Sequence, residues 1–397
     1  MTAILKTMRR IPLSVPVMRG NEGRYLQECI DTNWVSYVGP FVERFETAFA
    51  QAVSAPYAVA MQSGTAALHV ALLAAGVGRD DLVIVPDLTF IAPANAVRYC
   101  GADPVFVDVT PDRWQLDVDK VGRFLEQECE RGADGTRDRT TGRRIAAIVP
   151  VHLLGHPVDL DPLIALAERY RLAIVEDATE SLGSSYKGRA PGTFGICGCF
   201  SFNGNKIITS GGGGMITTAS HDIAERARYL STQARDDRRE YVHESVGFNY
   251  RLTNLQAAVG LAQLEQLDAH VARKREIASR YAKGLADVPG VTLPGEAPWA
   301  RSTFWLYTIL VAPPAARTSR ELIDALEAED IEARPLWAPL HEQRPYRDAR
   351  TFGLEHSGTI HARAVSLPSS VDLAAEDQER VIAAVRRSLV AVAKRSA

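Results

Sequence analysis

Lys206 stands in the stretch Cys199-Phe-Ser-Phe-Asn-Gly-Asn-Lys206-Ile-Ile-Thr-Ser-Gly-Gly-Gly-Gly-Met215, between an apolar run and four consecutive glycines. Surface lysines ordinarily sit among other charges on a helix face. The flanks here are a buried-strand pattern and a length of bare backbone that a bulky ligand could approach closely. An amine held in such a place loses part of its proton affinity and can add to an aldehyde as a Schiff base.

Other residues of useful type fall just after apolar runs. Ser63-Gly64-Thr65-Ala66 lies where a first strand turns into a helix. The unpaired N–H groups of that helix start suit a phosphate, and Gly64 lets an anion reach the backbone. Taken alone, Ser-Gly-Thr is more often a plain N-cap. Asp177 follows Leu172–Val175 and is placed beyond the carboxyl end of a strand, where open α/β sheets bind ligands. A carboxylate there could hold a pyridine nitrogen protonated, or it could cap a helix. Phe90 could stack on a flat ring, although a single Phe commonly packs into a core. Ser201 and Asn203 could donate to phosphate or ring oxygens. A lysine, a carboxylate, a ring and a phosphate cradle at the same end of successive strands predict a pyridoxal phosphate site, with the protonated pyridine as electron sink.

The elements that must position these residues read as an α/β fold. Candidate strands are Tyr57–Gln62, Leu82–Pro86, Val105–Val109, Ile145–Val151, Leu172–Glu176, Gly198–Phe202 and Gly214–Thr217. Helical patterns cover Thr65–Ala75, Ile91–Tyr99, Val118–Glu130 and Pro162–Tyr170. Continuous Val/Ile/Ala runs, rather than alternation, mean a largely parallel sheet covered by helices on both faces. Glu130–Arg144 is polar and reads as an exposed loop. Thr253-Asn-Leu-Gln256 has capping-box spacing and opens a long helix with Leu255, Val259, Ala262 and Leu267 on one face. Beyond it, Thr303–Val311 reads as a strand, Ser319–Glu329 as a helix, Ile331–Pro335 as a strand and Ala374–Lys394 as a terminal helix, together a smaller α+β part. The expected domains are residues 1–262, carrying the cofactor and an N-terminal substrate-cleft segment, and 263–397.

Bulk properties exclude several function classes. The formal net charge of −3 gives no case for nucleic acid or an anionic membrane. The five cysteines are odd in number and sparse over 397 residues, which points to a reducing, cytoplasmic setting. Cys197-Gly-Cys199 has no second ligand pair at metal spacing and is expected to be buried, so no metal is expected. Met1 to Arg10 has no apolar core of a leader, and the longest apolar run, Thr65 to Val77, is too short for the ~20 residues of a membrane span.

The blocks Ser63-Gly-Thr-Ala-Ala-Leu68, Val151-His-Leu-Leu-Gly-His-Pro157, Glu176-Asp-Ala178, Ser201-Phe-Asn-Gly-Asn-Lys206 and Gly247-Phe-Asn-Tyr-Arg-Leu-Thr-Asn-Leu-Gln-Ala257 resemble the DegT-type nucleotide-sugar aminotransferases, pyridoxal-phosphate enzymes of fold type I. The resemblance runs in order from about Ile11 to Arg347. Within the family, Gly20-Asn-Glu-Gly-Arg-Tyr-Leu26, Asn33-Trp-Val-Ser36 and Glu176-Asp-Ala-Thr-Glu-Ser-Leu-Gly183 are similar to the branch that serves bacillosamine and legionaminic acid pathways.

The resemblance implies roles, position by position. Lys206 matches the Schiff-base lysine, Asp177 the partner of the pyridine nitrogen, Phe90 the stacking ring, and Gly64, Thr65 and Ser201 the phosphate ligands. Glu180 stands where many members have Gln or His beside the cofactor's phenolic oxygen, and Gly212 where many have Glu. Asn249 matches an asparagine that reaches the phosphate of the neighbouring subunit, which implies a homodimer with shared sites. Asn33, Trp34, Val35, Ser36 and His341 match segments that line the sugar-nucleotide cleft. His152 and His156 are expected to be structural, and Arg251 and Arg334 are the candidates for the donor's carboxylates. The expected reaction moves the amino group of glutamate to the C4 ketone of a UDP-linked 4-keto-6-deoxy-2-acetamido sugar. The alternatives are a GDP- or dTDP-linked or C3-keto sugar, a sugar dehydratase, whose mark would be histidine in place of Lys206, and a non-catalytic pyridoxal-binding regulator.

Overall fold

The computed structural model describes residues 10–237 and 239–390. Residues 1–9 of the N-terminal stretch read for a leader, and the last residues of the terminal helix expected to run to Lys394, lie outside the described residues. Helices α1 (Glu22–Asp31) and α2 (Pro40–Val53) precede β1 (Tyr57–Met61). Strand and helix then alternate through α3 (Gly64–Ala74), β2 (Leu82–Pro86), α4 (Ala92–Tyr99), β3 (Asp103–Val107) and α5 (Val118–Gln127). Next come β4 (Cys129–Gly132), β5 (Gly135–Asp138), β6 (Arg144–Ile148), α6 (Leu160–Tyr170), β7 (Ala173–Asp177), the short β8 (Ser185–Tyr186), β9 (Cys197–Ser201) and β10 (Gly214–Thr218). Three helices follow, α7 (His221–Ser231), α8 (Asn254–Leu264) and α9 (Leu267–Leu285). The remainder holds β11 (Val291–Thr292), β12 (Ala300–Arg301), β13 (Tyr307–Val311), α10 (Ser319–Glu327), β14 (Arg350–Phe352), α11 (Ser357–Arg363), β15 (Ala364–Leu367) and α12 (Ala375–Leu389).

Among the described residues the main sheet has ten strands, ordered β1-β10-β9-β7-β6-β2-β3-β14, with the β4–β5 hairpin beside β6. From β9 to β14 neighbours pair in parallel. Strand β10 runs against both of its neighbours. Its connection explains this: the Phe202–Gly213 loop turns the chain straight back, whereas parallel pairs need a helical crossover. Strands β2 and β10 are buried along their whole length and β1 and β9 along all but one terminal residue, which is why their sequences are continuous apolar runs. Helix α3 is buried nearly all round, from Gly64 to Leu72, packed on β9 and β10 with α4 and α7 beside it. A three-stranded antiparallel sheet, β11-β13-β15, forms a second core with α9, α10 and α12 around Tyr281, Ile309, Leu322 and Val381. No helix among the described residues is long and apolar enough to cross a membrane.

Four local expectations give way. Glu130–Arg144 is a hairpin, not a loop: β4 pairs with β5, and Thr136 of β5 pairs with Ile145 of β6. The residues that β5 buries, Thr136 and Asp138, are themselves polar, and Ala133-Asp134 is the turn. The long helix after Thr253 keeps its capping box but breaks at Glu265–Gln266, where Glu265 turns to Tyr25 Oη and Asn21 Nδ2. Ile331–Pro335 forms single bridges, Ile331 to Ile11 and Arg334 to Ser366, rather than a strand. The strand expected from Thr303 begins only at Tyr307, because Phe304 has φ 49° and leaves the extended region.

The parallel arrangement collects the carboxyl ends of β1, β7 and β9, followed by Ser63, Ala178 and Phe202, at one edge, and β10 starts there with Gly214. Ser63 bridges Gly213 across this edge. The glycine run is therefore not uniformly slack. Gly211 and Gly213 have φ of 77° and 113°, and a Cβ on Gly214 would lie 2.5 Å from the Ser63 carbonyl oxygen. Gly212 has neither constraint, and a Cβ there meets only the flexible end of Gln256 at 3.3 Å. Gly214→Ala is expected to destabilise the chain by about 2 kcal/mol or more, and Gly212→Ala to stay within about 0.5 kcal/mol of wild type, as read by urea unfolding.

Candidate active site

The loop after β9 delivers Lys206 through a short set of backbone bonds. Phe202 N–H donates to Gly213 O at 2.9 Å, Ser210 N–H to Phe202 O at 3.0 Å, and Lys206 N–H closes a turn on Asn203 O at 3.0 Å. The Lys206 side chain, 13% exposed, reaches a cleft of about 330 Å³. Ser63, Gly64, Thr65, Phe90, Thr179, Glu180, Ser201, Asn203, Trp305 and Trp337 share its walls. Lys206 Nζ lies 3.7 Å from Glu180 Oε1 and 4.0 Å from the centre of the Trp305 ring.

One wall is the start of α3. Ser63 is its N-cap, its Oγ accepting from Ala66 N–H at 3.0 Å, and the first-turn N–H groups of Gly64 and Thr65 have no partner within the helix. The sequence reading assigned Gly64 to close approach by an anion, and the structure adds a packing reason. A Cβ on Gly64 would come within 2.8 Å of Ser201 Cβ at the end of β9. Thr65 and Ser201 bring hydroxyls to the same wall.

Beneath it, Asp177 ends β7 and is buried, its Oδ1 accepting from Thr179 N–H at 3.1 Å. Burial raises its pKa; the Thr179 bonds and the charge of Lys206 act in the opposite direction. A cation placed against it would restore the ionised form. The preceding residue, Glu176, is a structural bracket. Its Oε1 accepts from Phe194 and Gly195 N–H and its Oε2 from Gly192 N–H, each at 2.7 Å. His152 Nε2 lies 3.1 Å from the same Oε2 and its Nδ1 accepts from Val158 N–H, so the ring is neutral with its proton on Nε2. His156 bonds Pro157 O and Ala297 N–H. Both histidines are satisfied within the scaffold.

Glu180 is 4% exposed, and Oε2 accepts from Leu154 N–H at 2.7 Å. Leu154 has φ 56°, an unusual conformation for a branched residue, and it aims this N–H at the carboxylate. Burial pushes Glu180 up to about 7, with the Lys206 charge and the Leu154 bond in opposition. Burial also lowers Lys206, against the pull of Glu180 and Asp177. Burial thus moves the acid and the amine toward each other, the direction that eases proton exchange between them.

Phe90 is 51% exposed at the mouth of the cleft, its ring centre 6.1 Å from that of Trp337. Several other expected residues do not line this cleft. Asn33, Trp34, Val35 and Ser36 are exposed on the α1–α2 link, where the carbonyls of Trp34 and Ser36 accept from Asn254. Asn249 is exposed and bridges Thr232. His341 is held by buried Asp87, which accepts from its backbone N–H at 3.0 Å and lies 2.8 Å from Nδ1. The arginines proposed for a carboxylate are already engaged: Arg251 with Glu46 at 2.8 Å and Arg334 with Glu332 at 2.7 Å. Trp305, Trp337 and Thr179 were not anticipated. Trp305 is concealed inside an apolar run read as a strand, and the turn at Phe304 that directs it to the cleft has no glycine to announce it.

The donor set fits a phosphate-bearing pyridine aldehyde: a helix N-terminus with two hydroxyls at one side, an amine within the cleft, and a buried carboxylate below. The Glu180 shift yields a test of its own. Between about pH 4.5 and pH 7 the folded chain keeps a proton on Glu180 that the unfolded chain has released, so wild-type stability falls as pH rises through that window. Glu180→Gln keeps an acceptor for Leu154 and removes the titration. Relative to wild type, the variant should gain about 3 kcal/mol between about pH 4.5 and pH 8 in urea unfolding of the cofactor-free chain. A gain below about 1 kcal/mol would sink this account of Glu180.

Residues 16–386 match the DegT/DnrJ/EryC1/StrS aminotransferase family. The GDP-perosamine synthase of Caulobacter vibrioides is 42% identical over 387 residues, 97% of this chain and 100% of the relative. The GDP-perosamine synthase of Escherichia coli O157:H7 is 39% identical over 341 residues, 86% of this chain and 88% of the relative. The solved structure of DesV from S. venezuelae superposes with a TM-score of 0.85 at 32% identity, covering 97% of this chain and 100% of that one. The chain belongs to the DegT/DnrJ/EryC1/StrS family and is a pyridoxal-phosphate-dependent sugar aminotransferase.

Proposed function

We propose that this chain transfers the amino group of glutamate to the C4 ketone of a GDP-linked 4-keto-6-deoxy sugar, with Lys206 as the reactive amine. The observation that carries the reading is Lys206 Nζ, withdrawn from water beside Glu180 and the Trp305 ring, in a cleft walled by the start of α3. The sequence reading favoured a UDP-linked 2-acetamido sugar of the bacillosamine or legionaminic type. The two relatives named for GDP-perosamine support its GDP alternative instead.

The start of α3, Thr65 and Ser201 would hold the phosphate, Phe90 the ring face and Asp177 the ring nitrogen. When bound, pyridoxal phosphate supplies an electron sink for the carbon that loses a proton. Lys206 Nζ takes the proton from the α-carbon of glutamate in the first half-reaction and returns one to C4 of the sugar in the second. Glutamate leaves as 2-oxoglutarate and the ketone as an amine. Glu180, close to half protonated at neutral pH, faces Lys206 Nζ and holds the proton that would otherwise leave two charges in a dry cleft. Trp305 and Trp337 belong to the part after residue 262, so both expected domains contribute walls to the cleft.

We also infer a homodimer with shared sites. Asn249 does not line the cleft of its own chain, and the surface around it exposes Tyr241, Val242 and Val246, with Trp34, Val35, Tyr37 and Val38 exposed on the α1–α2 link. A partner subunit's Asn249 would complete the phosphate site.

The decisive assay is a panel of GDP-, UDP- and dTDP-4-keto sugars with glutamate, scored by product mass and 2-oxoglutarate. The GDP-linked substrate should turn over fastest, and preference for another nucleotide would overturn the GDP assignment. Lys206→Ala should lose turnover by about 10²–10⁴-fold, and borohydride treatment of the wild-type chain should leave a pyridoxyl group on the Lys206 peptide. Mixing Lys206→Ala chains with Asn249→Ala chains should restore activity, because a hybrid dimer keeps one intact site. Failure to restore it would count against shared sites.

A further inference from the structure

Helix α9 carries two ionisable side chains one turn apart, His270 and Lys274, both buried. His270 Nδ1 lies 3.2 Å from the carbonyl oxygen of Ile207, the residue after Lys206. Lys274 Nζ donates to the carbonyl oxygen of Trp305 at 2.8 Å. Trp305 sends its Nε1–H to the carbonyl oxygen of Asn205, the residue before Lys206, at 2.6 Å. Its amide N–H donates to Leu154 O at 3.0 Å, and Leu154 is the residue whose own N–H holds Glu180. The indole over Lys206 is thus pinned at its ring, its amide and its carbonyl.

Lys274 is 2% exposed, and among the described residues it has no carboxylate within ion-pair distance and no hydrogen-bond partner besides Trp305 O. An ammonium there would bury a charge and two N–H groups without acceptors, while a neutral amine leaves one N–H and a lone pair unpaired and no charge. Burial accordingly pushes its amine down to about 7. With no carboxylate at ion-pair distance among the described residues, Lys274 is not held there by an ion pair. What it supplies is a donor at a point where Phe304, with φ 49°, has taken the Trp305 segment out of the β13 ladder.

We propose that Lys274 is a positioning residue: by holding the Trp305 carbonyl from behind, it seats the indole face against Lys206 Nζ and so sets how strongly that amine keeps its proton. A cation over an indole face is favoured, and the other charged groups facing Lys206 are Glu180 and Asp177. His270 is the ionisable group facing Lys274 from its own helix. The proposal deepens the reading of Lys206 as the reactive amine, yet it concerns the free amine, and its test needs no sugar substrate.

The test is trace acetylation of the full-length, cofactor-free chain across pH, with Lys206 labelling read by peptide mass and exposed Lys187 as internal control. In Lys274→Met the labelling midpoint of Lys206 should fall by about half a pH unit or more, with Lys187 unchanged. Trp305→Phe, which loses the bond to Asn205, should shift it in the same direction. A wild-type midpoint in Lys274→Met overturns the proposal, including the case in which Trp305→Phe alone shifts. Should Lys274→Met fail to fold by near-ultraviolet circular dichroism, Lys274→Gln is judged by the same criterion.

Discussion

Lys206, Asp177 and Glu180 are withdrawn from water together at one edge of the sheet, and the cost of that withdrawal shapes what surrounds them. A buried charge is tolerated only when opposite charges and hydrogen bonds replace the lost solvent. Each of the three has such replacements, and each is incomplete. Glu180 has one backbone N–H and an amine at 3.7 Å. Asp177 has the Thr179 amide. Lys206 has a carboxylate and an aromatic face. Burial therefore moves the acids up and the amine down, toward one another.

Contrast with Glu176 makes the point. That carboxylate is equally buried, but it accepts from three backbone N–H groups and faces His152 Nε2. Burial pushes it up, yet these bonds outweigh burial and its pKa ends below the ordinary value. Neighbouring acidic residues on one strand, alternating between its two faces, have opposite fates. One is a fully satisfied bracket for the 192–195 turn, and the other lies buried with the Thr179 amide and the charge of Lys206 for company.

Much of the cleft was legible in local sequence. Ser63-Gly64-Thr65, Asp177, Ser201 and Lys206 each follow or interrupt a continuous apolar run, and parallel strands place such positions at one edge. Gly214 could be read as a glycine but not as the one whose hydrogen faces the Ser63 carbonyl. The β4–β5 hairpin is hidden in the sequence because the alternate residues that β5 buries, Thr136 and Asp138, are polar and leave no apolar alternation. Trp305 is hidden for the opposite reason: an apolar run resembles a strand until a single positive φ, at Phe304, redirects it.

The sequence by itself determined the alternation of strands and helices, the chemical types at the strand ends, and hence the class of cofactor, because those depend on neighbours within a few residues. Tertiary structure alone decided which groups meet. Leu154 reaches Glu180, Trp305 covers Lys206, and Lys274 reaches Trp305, pairs separated by 26, 99 and 31 positions. Desolvation depends on every atom within several ångströms, so the protonation of Lys206 and Glu180 is a property of the packed fold and is written in no single motif.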